Sequence, residues 1–184
     1  MAPGLARSIR RLAKTDNRVI SANSADEGSG CRGRMKGDRK RSAVKADYLE
    51  AFGYVAYCFA SCEWQVAWCC EHIKPGSLRK ITDGEMTAGQ IAHFFKDIAR
   101  NMPRSPEREQ LKDLAQTFVA LTEKRNEIFH AKTCTGPSGE ARLSGDKVLE
   151  IADLEDAADA FAECGGKLNA LSYGYLQTKY KPPP

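Results

Sequence analysis

Several common catalytic frameworks are missing from this chain. No glycine-rich loop lies between a strand pattern and a helix start, there is no Gly-x-Ser-x-Gly turn, and the acidic residues form no cluster at a metal-binding spacing. P-loop nucleotide hydrolysis, serine-hydrolase chemistry and two-metal catalysis therefore find no footing, and no cofactor is expected. There is no internal repeat. The most apolar stretch, residues 51–70, is broken by Ser61, Glu63 and Gln65, and no second segment resembles it, so no membrane association is expected. The seven cysteines are an odd number scattered from Cys31 to Cys164 with no secretory signal, which argues against a disulfide framework. Reduced thiols in a cytoplasmic protein are the expectation.

What the sequence does contain is an ordinary globular composition, 42% hydrophobic and 28% charged, with an uneven distribution of charge. Residues 1–45 hold 12 Lys and Arg against 4 Asp and Glu, a balance of +8, whereas the other 139 hold 16 against 20, a balance of −4. The basic character belongs to the N-terminal quarter, and the mildly acidic remainder offers no broad basic face for duplex DNA. Residues 1–41 read as a basic, disordered tail with too few apolar residues to order itself, although Leu5, Ile9 and Leu12 would share one face of a short helix. Its plain reading is a solvated extension; its sharper one is a nucleic-acid-binding arm or a transit peptide.

Residues 42–176 carry the pattern of one all-α domain, a bundle of four to five helices. The first helix is expected to begin between Ser42 and Asp47, with Asp47 and Glu50 as a capping pair, and to stop at Lys74-Pro75-Gly76. Its middle, residues 52–60, is apolar nearly all round, as in a helix buried by several neighbours. Thr87 with Gln90 makes a capping box for a second helix, whose core face is Ile91, Phe94, Phe95, Ile98 and Met102. Ser105, Pro106 and Glu107 open a third helix, with the stripe Leu111, Leu114, Phe118, Leu121, Ile128 and Phe129. A polar stretch follows, in which residues 141–143 and 148–151, split by Ser144-Gly145-Asp146, predict a minor hairpin. The last helix starts near Asp153 with Leu154, Ala157, Phe161, Cys164, Leu168, Leu171 and Tyr175 on one face. Residues 177–184 read as a flexible tail, ending in three prolines.

Continuing the third helix's stripe in sevens from Leu111 and Phe118 reaches Arg125, a charge at the centre of the expected buried face. His130 ends the same helix, Asn126 lies one turn before it, and Glu123 and Glu127 are near enough to pair with Arg125 or orient the imidazole. These residue types suit RNA cleavage without a metal. Histidine can remove or deliver a proton, arginine offers a permanent planar charge to a phosphate, and an asparagine amide can orient either.

The run Arg125-Asn126-Glu127-Ile128-Phe129-His130 resembles the signature of the HEPN superfamily: Arg, a polar residue, three variable residues, then His. Only this motif carries the resemblance in a specific way. It implies a small helical bundle with Arg125, Asn126 and His130 as catalytic residues of a metal-independent endoribonuclease. It further implies a homodimer whose two motifs face each other across a composite cleft, RNA as substrate, and a toxin or defence role with a nucleotidyltransferase-type antitoxin as partner. The rival is a non-catalytic HEPN-like module for protein or nucleotide binding or dimerisation. An RNA-binding protein working through its basic arm is a weaker third reading.

Other constellations are less persuasive. Cys58, Cys62, Cys69 and His72 share an arc of the first helix, but Cys58 and His72 are separated by roughly 21 Å of helix rise, too far for one zinc. Trp64 and Trp68, one turn apart, can stack on bases, yet a core or dimer-interface role is the expectation. His93 reads as a surface histidine.

Overall fold

The computed structural model describes residues 44–84 and 86–180. The basic tail at 1–41, with its Leu5, Ile9 and Leu12 face, and residues 181–184 lie outside the described residues.

Helix α1 spans Ala46–Ile73. Its N-cap is Lys45, which contributes no side-chain bond, so the expected Asp47–Glu50 cap is not formed. Lys45 already takes the extended cap conformation, and Asp47 falls inside the first turn, where its Oδ1 accepts from the Tyr48 N–H at 2.8 Å. A carboxylate there still favours the helix dipole. One side of α1 is core: Tyr48, Val55, Phe59, Cys62 and Val66 are buried. The other side is open, with Tyr54 54% and Tyr57 71% exposed, so the middle of the helix is not buried all round as its composition suggested.

Lys74-Pro75-Gly76 ends α1, and Gly76 takes φ 88°, a conformation open to glycine. The Glu71 carboxylate then accepts from the N–H groups of Gly76 at 3.0 Å and Leu78 at 2.7 Å, fixing the start of a short helix α2, Ser77–Thr82. Six residues are too few to give a legible periodicity, and α2 was not expected.

Helix α3, Ala88–Arg100, has the anticipated reciprocal capping box between Thr87 and Gln90. Helix α4, Pro106–Phe129, opens with Ser105 Oγ accepting from the Arg108 N–H at 3.1 Å and with proline in its first turn. Then comes a small antiparallel sheet in the order β1 (Lys132–Thr135), β2 (Ala141–Ser144), β3 (Val148–Leu149). The β2–β3 hairpin matches expectation, and β1 adds a third strand through pairs from Lys132 with Ser144 to Thr135 with Ala141. The fold is therefore mostly helical with a three-stranded sheet rather than all-α. Helix α5, Ile151–Leu171, is capped reciprocally by Glu150 and Asp153. A π-helical turn at Ser172–Leu176 and a short helix α6, Gln177–Lys179, carry the helical course past the expected boundary at Leu176.

Helix α1 packs chiefly on α5, and α3 on α4, with α4 also meeting α5. Phe59 of α1 lies parallel to Phe118 of α4 at 6.2 Å and edge-on to Phe161 of α5 at 5.3 Å, which joins three helices in one core. At Gly165 the α1 backbone comes so near that an added Cβ would lie 3.3 Å from the Cys62 Cα. The sheet is pinned to α1 by Tyr48, whose hydroxyl donates to the Leu149 carbonyl and accepts from the Leu143 N–H, both at 3.1 Å. Among the described residues no helix is long and apolar enough to cross a membrane.

Candidate functional site

The C-terminal turns of α4 bring the motif residues to two different faces of the helix. Asn126 and His130 are one turn apart and line the same cavity, of about 400 Å³. The backbone fixes their relation, because the His130 N–H donates to the Asn126 carbonyl at 3.0 Å and closes the last turn. His130 is exposed to solvent.

The β2–β3 turn adds Gly145, Asp146 and Lys147 to the lining of the cavity. Glycine at 145 permits the approach: an added Cβ would sit 3.6 Å from the Glu127 carbonyl oxygen. The sheet behind this turn is held by more than Tyr48. The largely buried Arg142 guanidinium lies 4.7 Å from the centre of the Tyr48 ring, with Nε 3.3 Å from Glu150 and Nη2 3.5 Å from Glu140. Burial outweighs hydrogen bonding and the Arg142 charge at Tyr48, and pushes its hydroxyl above the ordinary tyrosine range.

Lys124 and Lys147 supply the cavity's positive charge, and both are partnered. Lys124 Nζ lies 3.3 Å from Glu127, and Lys147 Nζ lies 2.6 Å from Asp153. The Asp153 bond holds the Lys147 ammonium charged above its usual range, and the Lys147 bond holds the Asp153 carboxyl below its own.

Arg125 points toward α1 and does not line the cavity. Its guanidinium carbon lies 4.9 Å from the centre of the Phe129 ring and 5.4 Å from that of Phe59, a cation held against two aromatic faces. Nη1 donates to Asn126 Oδ1 at 3.0 Å, while Nε is buried without a partner. Asn126 thus connects the two faces. The Arg125 charge acts on the Glu63 carboxyl of α1, while Glu123 is exposed and Glu127 is engaged with Lys124. Burial raises the Glu63 carboxyl, and the Arg125 charge only partly offsets this. In the sequence, Glu63 was visible as a lone carboxylate on an apolar helix, but nothing in its spacing linked it to Arg125. Lys147 carried no signal at all, since its place depends on how the hairpin docks.

The remaining candidates separate clearly. Cys58, Cys62, Cys69, Cys70 and Cys164 are buried, and burial pushes the Cys69 thiol up to about 12. Cys62 is raised by its hydrogen bond with Cys164 and by burial, so these thiols pack as small hydrophobes. Among the described residues no group of His, Cys, Asp or Glu side chains is arranged to hold a metal ion. His93 is exposed. Trp64 and Trp68 are not core residues: they are 47% and 37% exposed, edge to face at 5.9 Å. No protein-family model, curated protein or solved structure matches this chain.

Proposed function

We propose that the chain is a HEPN-like, metal-independent endoribonuclease whose site is the cavity at the C-terminal end of α4. The observation that carries the reading is the joint placement of Asn126 and His130 on one solvent-open cavity, with the Arg125 guanidinium bonded to the Asn126 amide. In the reaction a base removes the proton of an RNA 2′-hydroxyl, the resulting oxygen attacks the adjacent phosphorus, and an acid protonates the departing 5′-oxygen. His130 is one of these two groups. A second copy of the chain supplies its own His130 as the other, which is why the active form is a homodimer. Arg125 supplies a permanent charge from beside the cavity and acts through Asn126, whose Oδ1 accepts from the guanidinium while its amide N–H donates to a phosphate oxygen. A toxin or defence role, with a nucleotidyltransferase-type antitoxin, belongs to the same proposal.

A second reading is favoured by one specific feature. The Arg125 guanidinium is turned to Phe59 and Phe129, and the cavity's two lysines are each held by a carboxylate. A non-catalytic module for protein or nucleotide binding needs no free cation there. Incubating total and transfer RNA with purified protein in EDTA separates the two. The nuclease reading expects cleavage by the wild type and its loss in folded His130→Ala and Arg125→Ala variants. Equal cleavage by all three, or none by the wild type, leaves the binding module.

A further inference from the structure

The two tryptophans that the fold leaves outside the core stand at a second concave site, which shares no lining residue with the His130 cavity. It lies where the C-terminal half of α1 meets the π-helical turn and has a volume of about 270 Å³. Trp64 and Trp68 meet there with ring planes at 87°, and Tyr173, 69% exposed, joins the lining from the π-helical turn. Gln65 and Gln177 line the same space, as does His72, whose ring lies 6.2 Å from that of Trp68. The His72 Nδ1 is buried and has no hydrogen-bond partner.

We propose that this pocket binds a planar nucleobase, stacked on an indole face and read at its edge by the two glutamine amides.

Each feature of the wall narrows the ligand. Indole and phenol faces offer large flat areas on which any base gains stacking energy. An amide presents both a donor and an acceptor, which matches the mixed edge of a base and lets the site recognise it without charge. Among the described residues no lysine or arginine lines the pocket, so the wall offers nothing to grip a phosphate. Among the described residues no carboxylate lines it either, so a quaternary ammonium would enter without a counter-charge. The volume is just below the roughly 300–1,000 Å³ typical of small-molecule sites, which suits one ring system with its sugar and phosphates outside. A second protein copy fits less well, since it would bury two amides and an imidazole that a base edge can satisfy. The base can belong to a free nucleoside or to an unpaired position in a strand. The proposal does not rest on the nuclease reading.

Trp64 and Trp68 are the two tryptophans of the whole chain, so its indole emission reports this pocket alone. The test titrates the full-length His130→Ala variant, which holds any nuclease activity off, with adenosine, uridine, a single-stranded oligonucleotide and the same oligonucleotide as a duplex. Saturable quenching by the single strand but not the duplex is expected, and Tyr173→Ala or Gln177→Ala should weaken it roughly tenfold. Both substituted positions are exposed, so the fold should survive, and the Trp64–Trp68 pair stays in place as the reporter. Tighter binding of the strand than of nucleosides assigns the pocket to unpaired bases; equal binding assigns it to free nucleosides. Absence of saturable quenching, or quenching unchanged by both variants, overturns the proposal. So does an emission change on diluting the protein alone, which would mean that a second copy covers the indoles. Because the titration reads binding in a variant lacking His130, a failed cleavage assay leaves its result intact.

Discussion

The Arg125 guanidinium lies against two aromatic rings while its Nε goes unpartnered, and Glu63, across the helix interface, is held above its ordinary value of 4.5 mainly by burial. The folded state therefore holds the Glu63 proton more tightly than the unfolded chain does. Where the folded protein binds more protons, stability falls as pH rises through that window. Glu63 thus contributes a loss of stability from about its ordinary value upward to its raised one, and none below. Glu63→Gln should flatten this decline, whereas Arg125→Ala, which removes the offsetting cation, should steepen it. Denaturant unfolding of the three proteins from acid to neutral pH checks both, and identical pH profiles would refute the coupling. The sequence marked Arg125 as a misplaced charge because its heptad position is apolar elsewhere. It did not reveal that Phe59 would join Phe129 in receiving the guanidinium, because that depends on how α1 packs beside α4.

At the scale of elements, the helix starts most legible beforehand were those with local chemistry. Thr87 with Gln90 and Ser105 with Pro106 each state a helix start within four residues, and each is realised. The outer face of α1 was illegible because tyrosine and tryptophan read as core at helical spacing, and only the partner helices decide which stripe they cover. Strand β1 was missed because Lys132–Thr135 alternates too weakly to announce itself and is recruited by β2. Two predictions belong here. Tyr48→Phe removes the hydroxyl that serves the Leu143 N–H and the Leu149 carbonyl, so it should cost about 1–3 kcal/mol in chemical denaturation. The neighbouring glycines of α5 should diverge. At Gly166 nothing lies within 4 Å of an added Cβ, so Gly166→Ala should stabilise the helix by about 0.5–1 kcal/mol. Gly165→Ala meets the Cys62 backbone at 3.3 Å, and overpacking should leave it about 1–3 kcal/mol less stable than Gly166→Ala. Equal melting temperatures would show that the α1–α5 contact yields freely.

At the scale of the whole molecule, charge and site are carried by different parts of the chain. Residues 1–45 hold a balance of +8, while the cavity at the end of α4 has its lysines matched by carboxylates. On the nuclease account the N-terminal segment raises RNA affinity through salt-sensitive phosphate contacts and takes no part in bond breaking. Deleting residues 1–41 should weaken RNA binding and flatten its dependence on salt, yet leave cleavage at saturating RNA within a few-fold of the full chain. Loss of cleavage at saturation would shift the function to the basic arm. The account's central claim is that His130 moves a proton for an RNA 2′-hydroxyl, and one comparison tests it most directly. A short RNA and its all-deoxy twin are incubated in EDTA with the wild type and with His130→Ala, and the products are resolved by length. The account predicts that the wild type cuts the RNA and leaves the twin intact, and that the variant cuts neither. Cleavage of the deoxy strand, or undiminished RNA cleavage by His130→Ala, would contradict it.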